Sequence, residues 1–141
     1  MDTVVIGHGR KHRKISVDYE KTFFVDKDPE CQPDFVVDFR KTEIQSQSKF
    51  QRLIFVNSSR MILQIYNPMK MCEELLPLPM KNIRALLIYG GYLYVINCYS
   101  CHGMGTKQNQ AFIDDISRFG FEFIGKENPL SSNEMYVFKL V

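Results

Sequence analysis

The residues able to do chemistry in this chain stand at the ends of short apolar runs. Thr3-Val4-Val5-Ile6 ends at Gly7-His8-Gly9, Thr22-Phe23-Phe24-Val25 at Asp26, and Phe35-Val36-Val37 at Asp38-Phe39. Leu53-Ile54-Phe55-Val56 ends at Asn57-Ser58, and Tyr92-Leu93-Tyr94-Val95-Ile96 at Asn97-Cys98. Glycines directly after a β-branched run let backbone N–H groups come close to a ligand, although the same pattern serves a tight turn. Asp26, 17 residues after Gly9, is placed to accept hydrogen bonds from both hydroxyls of a ribose. It equally suits a turn opened by Asp26-Lys27-Asp28-Pro29. Asp38, one run further on, offers a carboxylate to an adenine amino group or to a solvated loop.

Two other clusters carry reactive side chains. Cys98-Tyr99-Ser100-Cys101-His102 has the C-x-x-C-H spacing of haem attachment. It follows a core-like run in a chain that is not expected to be exported, which argues against haem. Zinc is the better rival, with Cys31 or Cys72 completing four ligands, but a second C-x-x-C is missing. Free thiols in a loop are the plainer reading, and no metal is expected. The segment Arg10-Lys11-His12-Arg13-Lys14 abuts the glycine pair. With Asp2 it gives residues 1–14 a net charge of +3, leaving −1 for the rest of a chain whose total is +2. Such a run suits a phosphate, a nucleic acid or an acidic protein surface, or a solvated loop.

The elements that position these residues follow from the same pattern. Short continuous apolar runs suit strands buried on both faces of a parallel sheet. Phe121-Glu122-Phe123-Ile124 and Met135-Tyr136-Val137-Phe138 alternate more, as in an antiparallel hairpin. Helices are expected over 108–119, where Phe112, Ile116 and Phe119 share a face before Gly120, and over 61–76 and 81–88, broken at Pro77 and Pro79. Seven runs with helices mainly in the second half give an α/β three-layer sandwich. About a dozen residues separate the first two runs, and fewer the next two, so the first half is compressed. Ligands of such sheets bind at the carboxyl ends of the strands.

A length of 141 residues, 45% hydrophobic and 24% charged, fits one globular domain over residues 1–141 and excludes a disordered or collagen-like chain. No apolar run is long enough for a membrane helix. Four cysteines are too few for a disulfide framework. A reduced cytoplasmic setting is expected, with a nuclear one as the alternative.

Taken with Tyr89-Gly90-Gly91-Tyr92-Leu93, the glycine pair and the strand-end acids resemble a small, divergent class I (Rossmann-like) S-adenosylmethionine-dependent methyltransferase, from Val4 to the end. The resemblance implies a seven-stranded, mostly parallel sheet in the order 3-2-1-4-5-7-6 with strand 7 antiparallel. It implies S-adenosylmethionine as cofactor, with Gly7, His8 and Gly9 at its methionine part, Asp26 at ribose, and Asp38 and Phe39 at adenine. Asn57 and Ser58 would border the methyl-transfer position, with His102 or His8 as base. Gly90-Gly91 would form the turn that introduces the fifth strand. Val5 stands where the family has an acid, and Lys11 where it has a third glycine. These departures, with the shortened first half, suit the alternative of a catalytically degenerate binding or scaffold subunit. Gly7, Gly9 and Asp26 alone would also fit a nicotinamide dinucleotide protein, but the missing third glycine, the Gly90-Gly91 turn and the final hairpin count against it. Of acceptors, the basic run Arg10, Lys11, Arg13 and Lys14 favours a nucleic acid, with a protein partner as the other option. No membrane partner is expected.

Overall fold

The computed structural model describes residues 2–9, 17–46, 48–56, 59–96, 105–130 and 134–141. Seven strands form one sheet: β1 (Thr3–Ile6), β2 (Thr22–Asp26), β3 (Phe35–Val36), β4 (Phe50–Phe55), β7 (Leu87–Val95), β8 (Phe121–Glu127) and β9 (Met135–Leu140). Their order across the sheet is β3-β2-β1-β4-β7-β9-β8. Counted within this sheet alone, that is the expected 3-2-1-4-5-7-6. β1 runs parallel to β2 and β4, and β4 to β7, whereas β9 is antiparallel to both β7 and β8.

The core explains why the apolar runs are continuous. Val4 and Ile6 join one cluster with Val25, Leu53, Phe55, Leu93 and Phe138. Val5, between them, joins another with Phe24, Ile54, Tyr94 and Val137. Successive side chains of a strand alternate faces, so a strand covered on both sides must be apolar at every position. Helices α2 (Pro77–Leu86) and α3 (Gly105–Ser117) both pack on the first face, through Met80, Ile83 and Leu86, and through Phe112 and Ile116. On the second face the described cover is Leu130 and Val17 from connecting segments. The compression of the first half is plain in its crossovers. Among the described residues they hold short 3-10 stretches, such as Tyr19–Lys21 and Pro29–Cys31, and no α-helix.

Three sequence expectations are corrected. The helix expected over 61–76 is instead a short helix α1 (Ser59–Leu63) followed by a hairpin, β5 (Gln64–Asn67) and β6 (Cys72–Leu75). Asn67-Pro68 causes the break. The Asn67 carboxamide oxygen accepts from the Met69 N–H at 2.9 Å and its carbonyl from the Lys70 N–H at 3.2 Å. Pro68 cannot donate a helical hydrogen bond, and Met71 closes the turn at φ 53°. Pro77 opens α2 at its first turn rather than ending a helix, where its missing N–H costs nothing. Gly90-Gly91 lies inside β7, at a register shift against β4, and not in a turn before it. A Cβ on Gly91 would sit 2.9 Å from the Ile88 carbonyl oxygen and 3.1 Å from that of Gln51. The cysteines also differ from expectation. Cys31 is buried and outside any disulfide, but Cys72 is disulfide-bonded.

The second-face cluster gives the stability a pH limit. Burial, and next the nearby Glu127, raise the Tyr94 phenol above its ordinary value. The folded pKa therefore exceeds the unfolded one, and the unfolded chain ionises first as pH rises. Stability should be flat below the ordinary tyrosine range and fall above it. In Tyr94→Phe this part of the alkaline decline should disappear, as read by urea denaturation at stepped pH.

Candidate functional site

The first three strands end side by side, and parallel pairing puts their carboxyl ends on one edge. Past Ile6, the Gly7 N–H continues the ladder to the Val25 carbonyl at 2.9 Å. The chain then turns through Gly7 at φ 71° and Gly9 at φ 65°, a region where a side chain is strained and glycine is not. The Gly9 N–H donates to Asp26 Oδ2 at 3.1 Å, and the Asp28 N–H to Asp26 Oδ1 at 3.0 Å. Asp26 thus fastens the glycine loop to the end of β2, and each of its oxygens keeps a second lone pair. Two residues beyond β3, the Asp38 carboxylate accepts from the Arg40 N–H at 3.0 Å. The Asp38 carbonyl accepts from Lys41 and Thr42, at 3.1 and 2.9 Å.

These groups converge on one cavity of about 340 Å³, with Gly7, Gly9, Asp26 and Asp38 in its wall. Ile6, Val25, Val37 and Ile62 give it apolar sides, and Lys27, Arg40 and Lys41 add three cations. Arg40 crosses from the loop after β3 to α1, where its guanidinium donates to the Met61 carbonyl at 2.8 Å. A larger groove of about 650 Å³ lies on the same face, lined by Phe23, Phe35, Ile44, Phe50 and Leu86. No carboxylate lines it, so of these two the smaller cavity has the polar chemistry of a nucleoside site.

Phe39 belongs to the cavity wall, but its ring is buried and meets Phe55 edge-on, with centroids 5.6 Å apart. His8 is also buried. Its Nε2 lies 3.3 Å from the Cys31 carbonyl oxygen, and its ring is edge-on to Phe24 at 4.9 Å. Phe24 belongs to the second-face cluster, and His8 does not line the cavity. Val5, at the position of the family's acid, is fully buried in that same cluster. Asn57, Ser58 and His102 lie outside the described residues, as do Arg10, Lys11, Arg13, Lys14, Cys98 and Cys101. Among the described residues no group of three or more His, Cys, Asp or Glu side chains could hold a metal. No described helix is long and apolar enough to cross a membrane.

One positioning residue escaped the sequence reading. Asn82, on α2, is fully buried. Its Oδ1 accepts from the Ile44 N–H at 2.8 Å, and its Nδ2 donates to the carbonyls of Phe39 at 2.9 Å and Thr42 at 2.8 Å. It binds the whole loop after β3 to the helix layer and so sets where Asp38 and Arg40 stand. The signal was available: Asn82 falls among Pro79, Met80, Ile83 and Leu86 on the buried stripe of an amphipathic helix. A polar residue there needs partners.

Comparison with solved structures fits this geometry. Over 99% of its length the chain is similar to the fibrillarin pre-rRNA processing protein of Methanococcus jannaschii, with a TM-score of 0.58, 12% identity and 66% of that protein covered. It is similar to CalS10, an amino pentose methyltransferase of calicheamicin biosynthesis from Micromonospora echinaspora, with a TM-score of 0.61 and 10% identity over 83% of that chain. It is also similar to the antibiotic-resistance methyltransferase Kmr, with a TM-score of 0.57 and 12% identity over 86% of that chain. The chain spans just under two thirds of the first of these. No protein-family model matches the sequence, and no curated protein sequence is similar to it. The strand order and these likenesses define the fold: it is that of the class I methyltransferases.

Asn82→Ala should leave the Ile44 N–H and two carbonyls without their partner and cost about 2–4 kcal/mol of stability. Urea denaturation reads that loss. Faster amide exchange at Ile44, with core amides such as Leu53 still protected, would place it in the loop after β3.

Proposed function

We propose that this chain is an S-adenosylmethionine-dependent methyltransferase whose cofactor binds in the cavity at the ends of β1, β2 and β3. One observation carries the reading: Gly7, Gly9, Asp26 and Asp38, drawn from three separate strand ends, line one cavity on the class I fold. Its volume falls in the range of about 300–1,000 Å³ usual for small-molecule sites. The residues present fit the cofactor. The free lone pairs of the Asp26 carboxylate suit a ribose diol. Asp38 suits the adenine amino group, with Val37 and Ile62 as apolar walls. Gly7 and Gly9 leave room for the methionine part.

When bound, the cofactor supplies a methyl group made electrophilic by its sulfonium. The chain's part is to align donor and acceptor. Asp26 holds the glycine loop and the nucleoside through one carboxylate. Asn82 holds the Asp38 loop in register, and Arg40 joins that loop to α1. Asn57 and Ser58, directly after β4, would border the methyl group, with His102 as the base. His8 serves the loop from behind through Cys31 and Phe24.

We infer a nucleic acid as the acceptor class. The run Arg10, Lys11, Arg13 and Lys14 supports this, as do Lys27, Arg40 and Lys41 at the cavity, because the cofactor carries no phosphate and its single carboxylate cannot partner so many cations.

Calorimetric titration with S-adenosylmethionine and S-adenosylhomocysteine should show one site of micromolar affinity, and NAD should show none. Asp26→Ala removes the charged acceptor of the diol, and charge-assisted hydrogen bonds of this kind are worth about 1.5–3 kcal/mol each, so affinity should fall at least tenfold. No binding of either nucleoside at millimolar concentration would overturn the enzyme reading and leave the scaffold subunit in its place.

A further inference from the structure

The edge of the sheet opposite the cofactor cavity carries a concavity of its own. It lies where β4 and β7 begin and β9 ends. The length of β4, about 20 Å for a six-residue strand, separates the two edges. The concavity holds about 530 Å³ and is lined by Lys49, Lys81, Arg84, Tyr89, Leu87 and Leu140, among others. No carboxylate is among its lining residues.

The three cations are placed by α2 and the start of β4. Lys49 directly precedes β4, and its Nζ donates to the Ala85 carbonyl at 2.7 Å, which holds it at the end of α2. Lys81 and Arg84 stand three residues apart on α2 and so share its exposed side. Lys81 pairs with Glu43 at 2.7 Å, but both side chains are exposed, and such pairs give way readily to a stronger anion. Arg84 forms no ion pair among the described residues. Its guanidinium lies against Gly120, 3.6 Å from where a Cβ would stand.

Cations near the end of a helix are ordinary company for its dipole. The aromatic ring beside them has no such explanation. Tyr89 is 78% exposed, against 51% for Tyr66 and 43% for Phe35, the other exposed aromatic residues among those described. Cations that hold phosphates, beside an open ring on which a base can stack, are the parts of a single-strand nucleic-acid site. A duplex keeps the faces of its bases stacked inside and has no use for the ring. An acidic peptide would engage the cations and leave the ring idle.

We propose that this concavity binds single-stranded nucleic acid, with a base on Tyr89 and the backbone along Arg84, Lys49 and Lys81. The proposal is independent of the cofactor reading, because the two cavities share no residue.

The test is fluorescence anisotropy of a short labelled single-stranded oligonucleotide titrated with the full chain at stepped salt. Tyr89 and Arg84 are both exposed, and circular dichroism checks that each variant folds. Tyr89→Ala should weaken binding about tenfold, the size of one lost base–aromatic stack, and Tyr89→Phe should restore it. Arg84→Gln should lower the slope of log affinity against log salt by about 0.7, one phosphate contact on a single strand. Lys126→Gln, which removes one charge on β8, should change neither. No binding up to sub-millimolar protein would overturn the proposal. So would binding that both Tyr89→Ala and Arg84→Gln leave unmoved, which would put the strand on the Arg10–Lys14 run instead. Equal affinity for a duplex of the same sequence would remove the stacking and overturn it. Equal affinity for polyglutamate would replace the strand with an acidic protein surface and overturn it as well.

Discussion

The site depends on β1 being paired on both edges and buried on both faces. Val4 and Val5 are fully buried, and Ile6 nearly so. The strand pairs in parallel with β2 on one side and β4 on the other, residue for residue from Thr3 to Ile6. A strand so enclosed cannot shift by one residue without turning apolar side chains out of one cluster and into the other. That fixed register places Gly7 beside the end of β2, brings the Gly9 N–H to the Asp26 carboxylate, and aims the loops after β1, β2 and β3 at a single cavity.

Where crossover helices are missing from the described first half, side-chain oxygens take over their work. The Asp34 carboxylate accepts the Phe24 N–H at 2.8 Å, standing in for a ladder that β3 is too short to supply. Asp28 caps the turn at Pro29–Cys31 through the Glu30 N–H at 2.9 Å. Asp26, Asp38 and Asn82 do the same for the glycine loop and the loop after β3. Polar side chains here fix backbone that a larger protein of this fold would fix by packing. Two of the same side chains, Asp26 and Asp38, line the cavity, so the scaffold and the proposed binding site share their parts.

Much of the fold was legible because burial on both faces leaves continuous apolar runs in β1, β2, β4, β7 and β9, while β8 shows the alternation of a half-exposed edge strand and β3 is a short exposed one. The acids at the ends of β2 and β3 were legible for a related reason: each interrupts such a run at its carboxyl end. The β5–β6 hairpin was not. Met61, Ile62, Leu63, Leu75 and Leu76 support a helical reading, and only Asn67-Pro68 marks the turn. Phe39 and His8 show another limit. Both stand at strand ends in the right order, but a sequence does not reveal which way a side chain turns. Phe39 turns to Phe55, and His8 to Phe24 and Cys31. Asn82 shows the opposite case, since a polar residue on a buried helical stripe was a sign that something had to be held there.

The central claim is that one cavity, built from the ends of β1, β2 and β3, receives the adenosine part of the cofactor. Amide chemical-shift mapping during titration with S-adenosylhomocysteine tests it most directly. The account predicts saturable shifts at Gly7, Gly9, Asp26, Lys27 and Asp38 through Lys41, with Gln45, Ser48 and Lys49 of the larger groove unmoved. Shifts centred on that groove, or none at a saturating concentration, would contradict it.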